Sequence, residues 1–291
     1  MKHSFLIALM CTIIIISSCK PDDPEPITPP ALVFKFKFDS TQARLNNIGL
    51  PASIPSGHAG QSPQFNKISA HYIELAPTMF TALGSGDVLY HAPETSAGGA
   101  TAINFDQSVK VSEGEVFLRV PYTEISAGNY EYLRVSLSYQ NYNVNFQATV
   151  PVLGTINAMG TVASFIGYNT YIDCYSIGDS SLCVHDDRLQ GYWAFETEFN
   201  VSSGQAPAGA TTVPNPISAT SPIPAGSCVV TAAFTSPLTI TGNETTDKTI
   251  TMSLSTNKSF EWIDTIPNGI WEPLDGESVV DMGIRGLVLT Y

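Results

Sequence analysis

The amino-acid sequence predicts an all-β protein, an antiparallel β-sandwich of roughly ten to twelve strands. Three observations carry this expectation. Val, Ile, Thr, Tyr and Phe are abundant, and these types fit a pleated, half-buried surface. The 22 Gly and 20 Pro, with many Asn and Ser, punctuate the chain at short intervals as turn residues do. Several stretches alternate apolar and polar residues with a period of two, whereas no segment shows a helical period and no internal repeat is visible.

The chain opens with a targeting segment rather than with the fold. Met1-Lys2-His3 is a short basic start, Phe5 to Ile16 is almost unbroken apolar sequence, and Ser17-Ser18 precede Cys19. A basic start, a short apolar run and small residues at the cut make a secretory signal over residues 1–18. About twelve apolar residues are too few to span a hydrocarbon core, which needs about 20. The sequence around Cys19 resembles a bacterial lipobox, which implies cleavage before Cys19 and lipidation of that residue. Residues 19–31 follow as an acidic, Pro-rich tether, Lys20-Pro21-Asp22-Asp23-Pro24-Glu25-Pro26, whose prolines preclude a helix and favour an extended polyproline II chain. Its acidic start resembles the surface-export signal of Bacteroidota lipoproteins. That resemblance implies a protein anchored by lipid to the outer membrane and displayed on the cell surface.

The folded part is expected over residues 32–291. Val33 to Asp39 reads V-F-K-F-K-F-D, with Phe34, Phe36 and Phe38 toward a core and Lys35 and Lys37 toward water. Pro51 to Pro63 is a polar loop with His58 inside it. Ile68 to Leu75 is a strand in which simple alternation places His71 with Ile73 and Leu75, and Tyr72 with Glu74. Asp87 to His91 and Glu115 to Val120 are short strands. Glu131 to Tyr139 and Val144 to Val150 are expected as a hairpin across Asn141-Tyr142-Asn143. Gly154 to Gly167 is apolar and Gly-rich, readable as a buried strand pair. Asn169 to Cys174 and Gln190 to Phe199 are strand-like. Residues 204–227 form a low-complexity stretch of Ala, Thr, Pro and Gly, either a linker or a long surface loop. Val229 to Phe234, Lys248 to Leu254 and Gly283 to Tyr291 are further strands. The segment opening at Ser259-Phe260-Glu261-Trp262 and containing Trp271 and Met282 reads as loop. The piece from 228 onward is marginal alone, so it is expected to complete the same sandwich rather than form a second domain.

Charge and cysteine content narrow the function. The formal net charge is −13 and only 13% of residues are charged. Such a surface disfavours nucleic acid and anionic lipid as partners and is compatible with cations or neutral glycans. Of the five cysteines, Cys11 leaves with the signal and Cys19 carries lipid. Cys174 and Cys183 flank a turn-rich stretch, and a local disulfide between them is expected in an oxidising compartment. Cys228 is then a buried thiol, with its pairing to either of the others as the alternative.

No G-x-S-x-G elbow, P-loop, H-E-x-x-H or paired C-x-x-C occurs, so binding without catalysis is the expectation. Three of the five histidines, His58, His71 and His91, fall close together in sequence with Glu74 and Glu94 among them. Imidazole suits copper and zinc, so these three are the candidate metal ligands, against the reading of one core and two surface histidines. Cys183, His185, Asp186 and Asp187 form a second cluster, whose simpler reading is a disulfide hairpin with a solvated acidic tip. Tyr130, Tyr132, Tyr139, Tyr142, Trp193, Trp262 and Trp271 are candidate stacking platforms for sugar rings, against the reading of core and cross-strand pairs.

The order of an F-K-F-K-F-D strand, a His-bearing loop, Ile68 to Leu75, and Pro121-Tyr122-Thr123-Glu124-Ile125-Ser126-Ala127-Gly128-Asn129-Tyr130 before an apolar strand resembles the MbnP-like copper-binding domain. The resemblance covers residues 32 to 150 and implies an all-β domain that holds copper through histidines. Only His71 lies within one of its motifs; His58 and His91 join it by proximity. Two other functions remain open at this point: a carbohydrate-binding surface lipoprotein of a glycan-uptake system, and an adhesin or pilus-type subunit with Gly283 to Tyr291 as an exchangeable strand.

Overall fold

The computed structural model describes residues 28–151, 154–206, 219 and 229–291. The signal, Cys19, most of the tether, Cys228 and nearly all of the low-complexity stretch lie outside the described residues. The described residues form strands joined by turns and loops, with two single-turn 3₁₀ helices at Tyr122–Glu124 and Pro273–Asp275.

In chain order the first strands are β1 (Ala31–Asp39), β2 (His58–Gln61), β3 (Gln64–Ala76), β4 (Asp87–His91), β5 (Glu94–Thr95) and β6 (Ala102–Asn104). Next come β7 (Val116–Pro121), β8 (Gly128–Val150), β9 (Gly154–Phe165), β10 (Asn169–Ser176), β11 (Ser181–Leu189) and β12 (Tyr192–Glu196). The last are β13 (Val201–Gln205), β14 (Val229–Ile240), β15 (Lys248–Ser255), β16 (Phe260–Ile263), β17 (Val279–Asp281) and β18 (Leu287–Thr290). These exceed the expected ten to twelve because several, such as β5, β6 and β17, are too short to show an alternation.

A seven-stranded sheet, ordered β13-β12-β9-β8-β3-β4 with β14 also paired to β8, is the backbone of the fold. A four-stranded sheet, β18-β15-β1-β7, covers one end of one face. Between them lies the largest core, built from Phe34 and Phe36 of β1, Ile68 to Leu75 of β3, Leu133 to Leu137 of β8, and Ile250 to Leu254 of β15. Antiparallel pairing dominates, as expected of a sandwich; β1 with β15 and β6 with β10 are the parallel exceptions. The C-terminal strands are integral to these sheets: β14 pairs with β8, and β15 lies beside β1 with Phe34 opposite Ile250.

A second four-stranded sheet, β11-β10-β6-β5, packs over an aromatic core of Phe105, Tyr139, Phe165, Tyr175 and Tyr192. A small sheet, β17-β16-β2, covers a third core of Tyr142, Val144, Phe146, Phe260, Trp262 and Trp271. Trp262, expected in a loop, is therefore a buried strand residue, 1% exposed.

The expected hairpin at Asn141-Tyr142-Asn143 does not form. β8 runs through it as one strand of 23 residues. The two asparagines look like turn formers, but their side chains are engaged across strands instead. Asn66 Nδ2 donates to Asn141 Oδ1 (2.8 Å) and Asn143 Oδ1 (3.1 Å), and Thr161 Oγ1 donates to Asn143 Oδ1 (2.9 Å). Tyr142 between them is buried in the third core. β8 runs on to Val150 and pairs instead with β9, which opens at Gly154, where φ is +76°, a left-handed conformation that favours glycine. Gly154 to Phe165 is accordingly one strand, not a pair.

Alternation along β3 is also broken. Ala70 pairs with Leu137 and Tyr72 with Ser136, so two residues on β3 span one step of β8. That bulge changes which parity faces the core. Ile68 and Ala70 are core residues before it, and Ile73 and Leu75 are core residues after it. His71 therefore does not share a side with Ile73 and Leu75, and projects from the opposite face.

Candidate metal centre

The bulge that turns His71 away from the main core delivers it to a polar junction. His71 Nε2 lies 2.9 Å from Glu94 Oε1, and His91 Nε2 lies 3.7 Å from the same oxygen. The two imidazole rings are 4.7 Å apart between centroids. Tyr168, in the turn between β9 and β10, places its hydroxyl 3.0 Å from Glu94 Oε1, and its ring stands 5.2 Å from that of His71.

Backbone pairing sets this geometry. His91 is the register partner of Tyr72, so it stands beside the residue after His71. The His71 carbonyl accepts a bond from the Ala92 amide at 2.7 Å, and the Pro93 carbonyl accepts one from the Asn104 amide at 2.8 Å. Those bonds fix the corner between β4 and β5 and hold Glu94 opposite Ile103 of β6. The centre thus sits where the seven-stranded sheet meets the β5–β6 edge of its neighbour.

Burial and charge act unequally on these side chains. The His71 side chain is 12% exposed, and this desolvation lowers its pKa. The hydrogen bond to Glu94 opposes the shift, and the neighbouring His91 adds to it. Burial thereby favours the neutral form of His71, which is the metal-ligating form of imidazole. His91, half exposed, leaves the outer side open to solvent.

His71, His91 and Glu94 each offer one donor atom within 4.8 Å of the others. Ligands about 2.1 Å from a common ion stand about 3–3.4 Å apart at angles between square and tetrahedral. The separations of 2.9 and 3.7 Å bracket that range. Two imidazoles and one carboxylate are a donor set that could hold a transition ion.

His58 is not part of this arrangement. Its Nδ1 lies 2.6 Å from Glu261 Oε1. Glu261 is 4% exposed and also pairs with Arg44, while Arg285 pairs with Asp281. Burial, with the neighbouring Arg44, lowers the Arg285 pKa to about 10. His58 therefore closes a structural ion network beneath the small β17-β16-β2 sheet. The second sequence cluster has a different fate. Cys174 and Cys183 are register partners joined in a disulfide, and His185 hydrogen-bonds to Asp173. A disulfide offers no thiolate to a metal.

Glu94 carried a signal in the sequence, since it lies three residues past His91. Tyr168 carried none; only the β9–β10 turn brings it to Glu94. Of the aromatics considered as platforms, Tyr130, Tyr132, Tyr139, Tyr142, Trp262 and Trp271 are buried core residues; Trp193 is half-buried and, with one side of Trp271, lines a cleft.

No known protein family matches this chain, and neither the characterised proteins nor the solved structures compared with it give a significant match.

Proposed function

We propose that this chain is a lipid-anchored cell-surface protein that binds a divalent transition-metal ion through His71, His91 and Glu94, with no catalytic role. The observation that carries the reading is the clustering of three donor atoms, from β3, β4 and β5, within 4.8 Å of one another. Copper(II) is the favoured ion, because nitrogen and oxygen sites rank it above the other common divalent metals and because two imidazoles suit it. Tyr168 orients Glu94 from outside the donor set, as hydrogen-bonded partners of ligating carboxylates do. The lipid anchor rests on the sequence around Cys19, and surface display on the acidic tether after it.

The test is a titration of tag-free, chelator-treated protein with CuCl₂ and ZnCl₂, followed by calorimetry and by electron paramagnetic resonance of the copper form. One ion per chain is expected, with nitrogen hyperfine structure from two imidazoles. His71→Ala and His91→Ala should abolish binding, and His58→Ala should retain it. Absence of a stoichiometric ion in the parent protein, or binding that survives both substitutions, overturns the reading. Loss of membrane association in Cys19→Ala tests the anchor separately.

A further inference from the structure

The third core does not close completely. Between the β9–β12–β13 face and the 271–282 segment it opens into a cleft of about 400 Å³. Trp193, Phe195, Phe260 and Trp271 supply its aromatic walls. The size falls within the range of small-ligand sites, which run from about 300 to 1,000 Å³.

Both tryptophans are fixed in place. A Cβ on Gly204 would lie 3.2, 3.4 and 3.5 Å from Cζ2, Cε2 and Nε1 of Trp193. The indole thus packs close against its cross-strand partner, where a Cβ would oblige the ring to shift by a few tenths of an ångström. Trp271 Nε1 donates to the Glu277 carbonyl at 3.3 Å. Preset aromatic faces bind with little loss of side-chain freedom.

The charges around the cleft define the ligand class. Its lining contains no Lys, Arg or His among the described residues, so an anion finds no partner. The two carboxylates on its rim are already committed. Glu277 accepts from the amides of Glu272 (2.8 Å) and Ile266 (3.3 Å). Asp281 pairs with Arg285 and accepts from the Gly283 amide (2.7 Å). Both carboxylates therefore already have their oxygens engaged, and a neutral ligand matches the cleft best.

Polar groups stand beside the rings. Ser164 and Ser202 line the cleft, and Ser164 is the β-ladder partner of Gln140. Ser202 is half-buried and Gln205 exposed, so a hydroxyl and an amide stand open at the cleft, which suits a ligand that itself brings hydroxyl groups. Flat aromatic faces, hydroxyl-bearing edges and no free charge are the features that a sugar ring complements.

We infer that this cleft binds a neutral carbohydrate, with a sugar ring stacked on Trp193 against a floor that includes the buried Trp271. The site is separate from the His71–His91–Glu94 centre and does not depend on it.

The test uses the whole mature chain and four soluble neutral probes: maltoheptaose, cellohexaose, xylohexaose and mannohexaose. Intrinsic tryptophan fluorescence and calorimetry report binding, and dodecanol serves as an uncharged apolar control. At least one oligosaccharide should bind at micromolar to millimolar concentration. Trp193→Ala should weaken it by about tenfold, the loss of one stacked face, as should Trp271→Phe by removing the larger indole. His91→Ala should leave it unchanged. Thermal melting of each variant separates loss of the site from loss of the fold. Failure of all four oligosaccharides overturns the inference, as does a preference for dodecanol, or sugar binding that is undiminished in a folded Trp193→Ala protein.

Discussion

Glu74 and Arg134 form an ion pair 3.4 Å long in which neither side chain has any exposed surface. The pair does more than neutralise itself. Glu74 Oε1 accepts the Gly86 amide at 2.6 Å, and Arg134 donates to the carbonyls of Thr81 (2.7 Å) and Ala82 (3.4 Å). Two buried charges thus tie down the loop between β3 and β4, the strands that carry His71 and His91. Removing one partner leaves the other charged and desolvated, which costs about 3–5 kcal/mol. Glu74→Ala should therefore lower the urea stability by about that amount, and Glu74→Leu combined with Arg134→Met should recover much of it. A double variant no more stable than the single one would show that the loop bonds, rather than the charge, carry the effect.

His71 makes the fold sensitive to acid. Its folded-state pKa lies below the ordinary imidazole value, chiefly through burial. In the intervening pH range the unfolded chain binds more protons, so stability rises with pH there. The contribution is complete above about pH 6.5 and is lost as pH falls through the folded-state pKa. Denaturation midpoints measured from pH 8 to pH 4 should decline less steeply below pH 6.5 in His71→Gln than in the parent. Parallel profiles would assign the acid sensitivity to other groups.

The Cys174–Cys183 disulfide closes a short hairpin at register partners of β10 and β11. A loop of this length constrains the unfolded chain by about 2–3 kcal/mol on the chain-entropy account. Replacing both cysteines with serine should lower the denaturant midpoint accordingly. Amide exchange should accelerate first over residues 169–189, since β11 is the edge strand of its sheet. Uniform acceleration across the protein would contradict a local role.

Gly160 is required by Phe195. A Cβ there would stand 2.4 and 2.5 Å from Cε2 and Cζ of that ring and 2.8 Å from the Glu196 carbonyl oxygen. Replacing glycine by alanine gains about 0.4–1 kcal/mol by restricting the unfolded chain, whereas overpacking costs about 1–3 kcal/mol. The clash wins, because part of it is backbone. Gly160→Ala should be destabilised, with partial rescue by Phe195→Leu, in thermal melts of the two variants.

Alternation made the fold class legible where a strand met one core along its whole length, as in β1 with Phe34, Phe36 and Phe38. It failed where the backbone slips. The bulge between Ala70 and Tyr72 reverses the side on which His71 projects, and no local residue type announces it. It failed again at Asn141 and Asn143, where a turn propensity is overridden by amide bonds to Asn66, a residue far away in sequence. Two of the three candidate histidines converge because β3 and β4 are adjacent, a relationship implied by their order in the chain. His58 diverges because its strand pairs with β16, near the other end of the sequence. Proximity along the chain was informative only within one β-meander.

The parallel pairing of β1 with β15 also governs the order of assembly. Leu32 to Asp39 lies between β7 and β15, opposite residues 248 to 255. The first sheet therefore stays unfinished until a strand more than two hundred residues downstream has been made. At about 5–20 residues per second, that wait lasts roughly 10–40 s of synthesis. Contacts this distant along the chain also slow closure once all the strands exist. A polypeptide built this way remains threadable while it is being made, and becomes a closed, unthreadable object only after its last strands arrive.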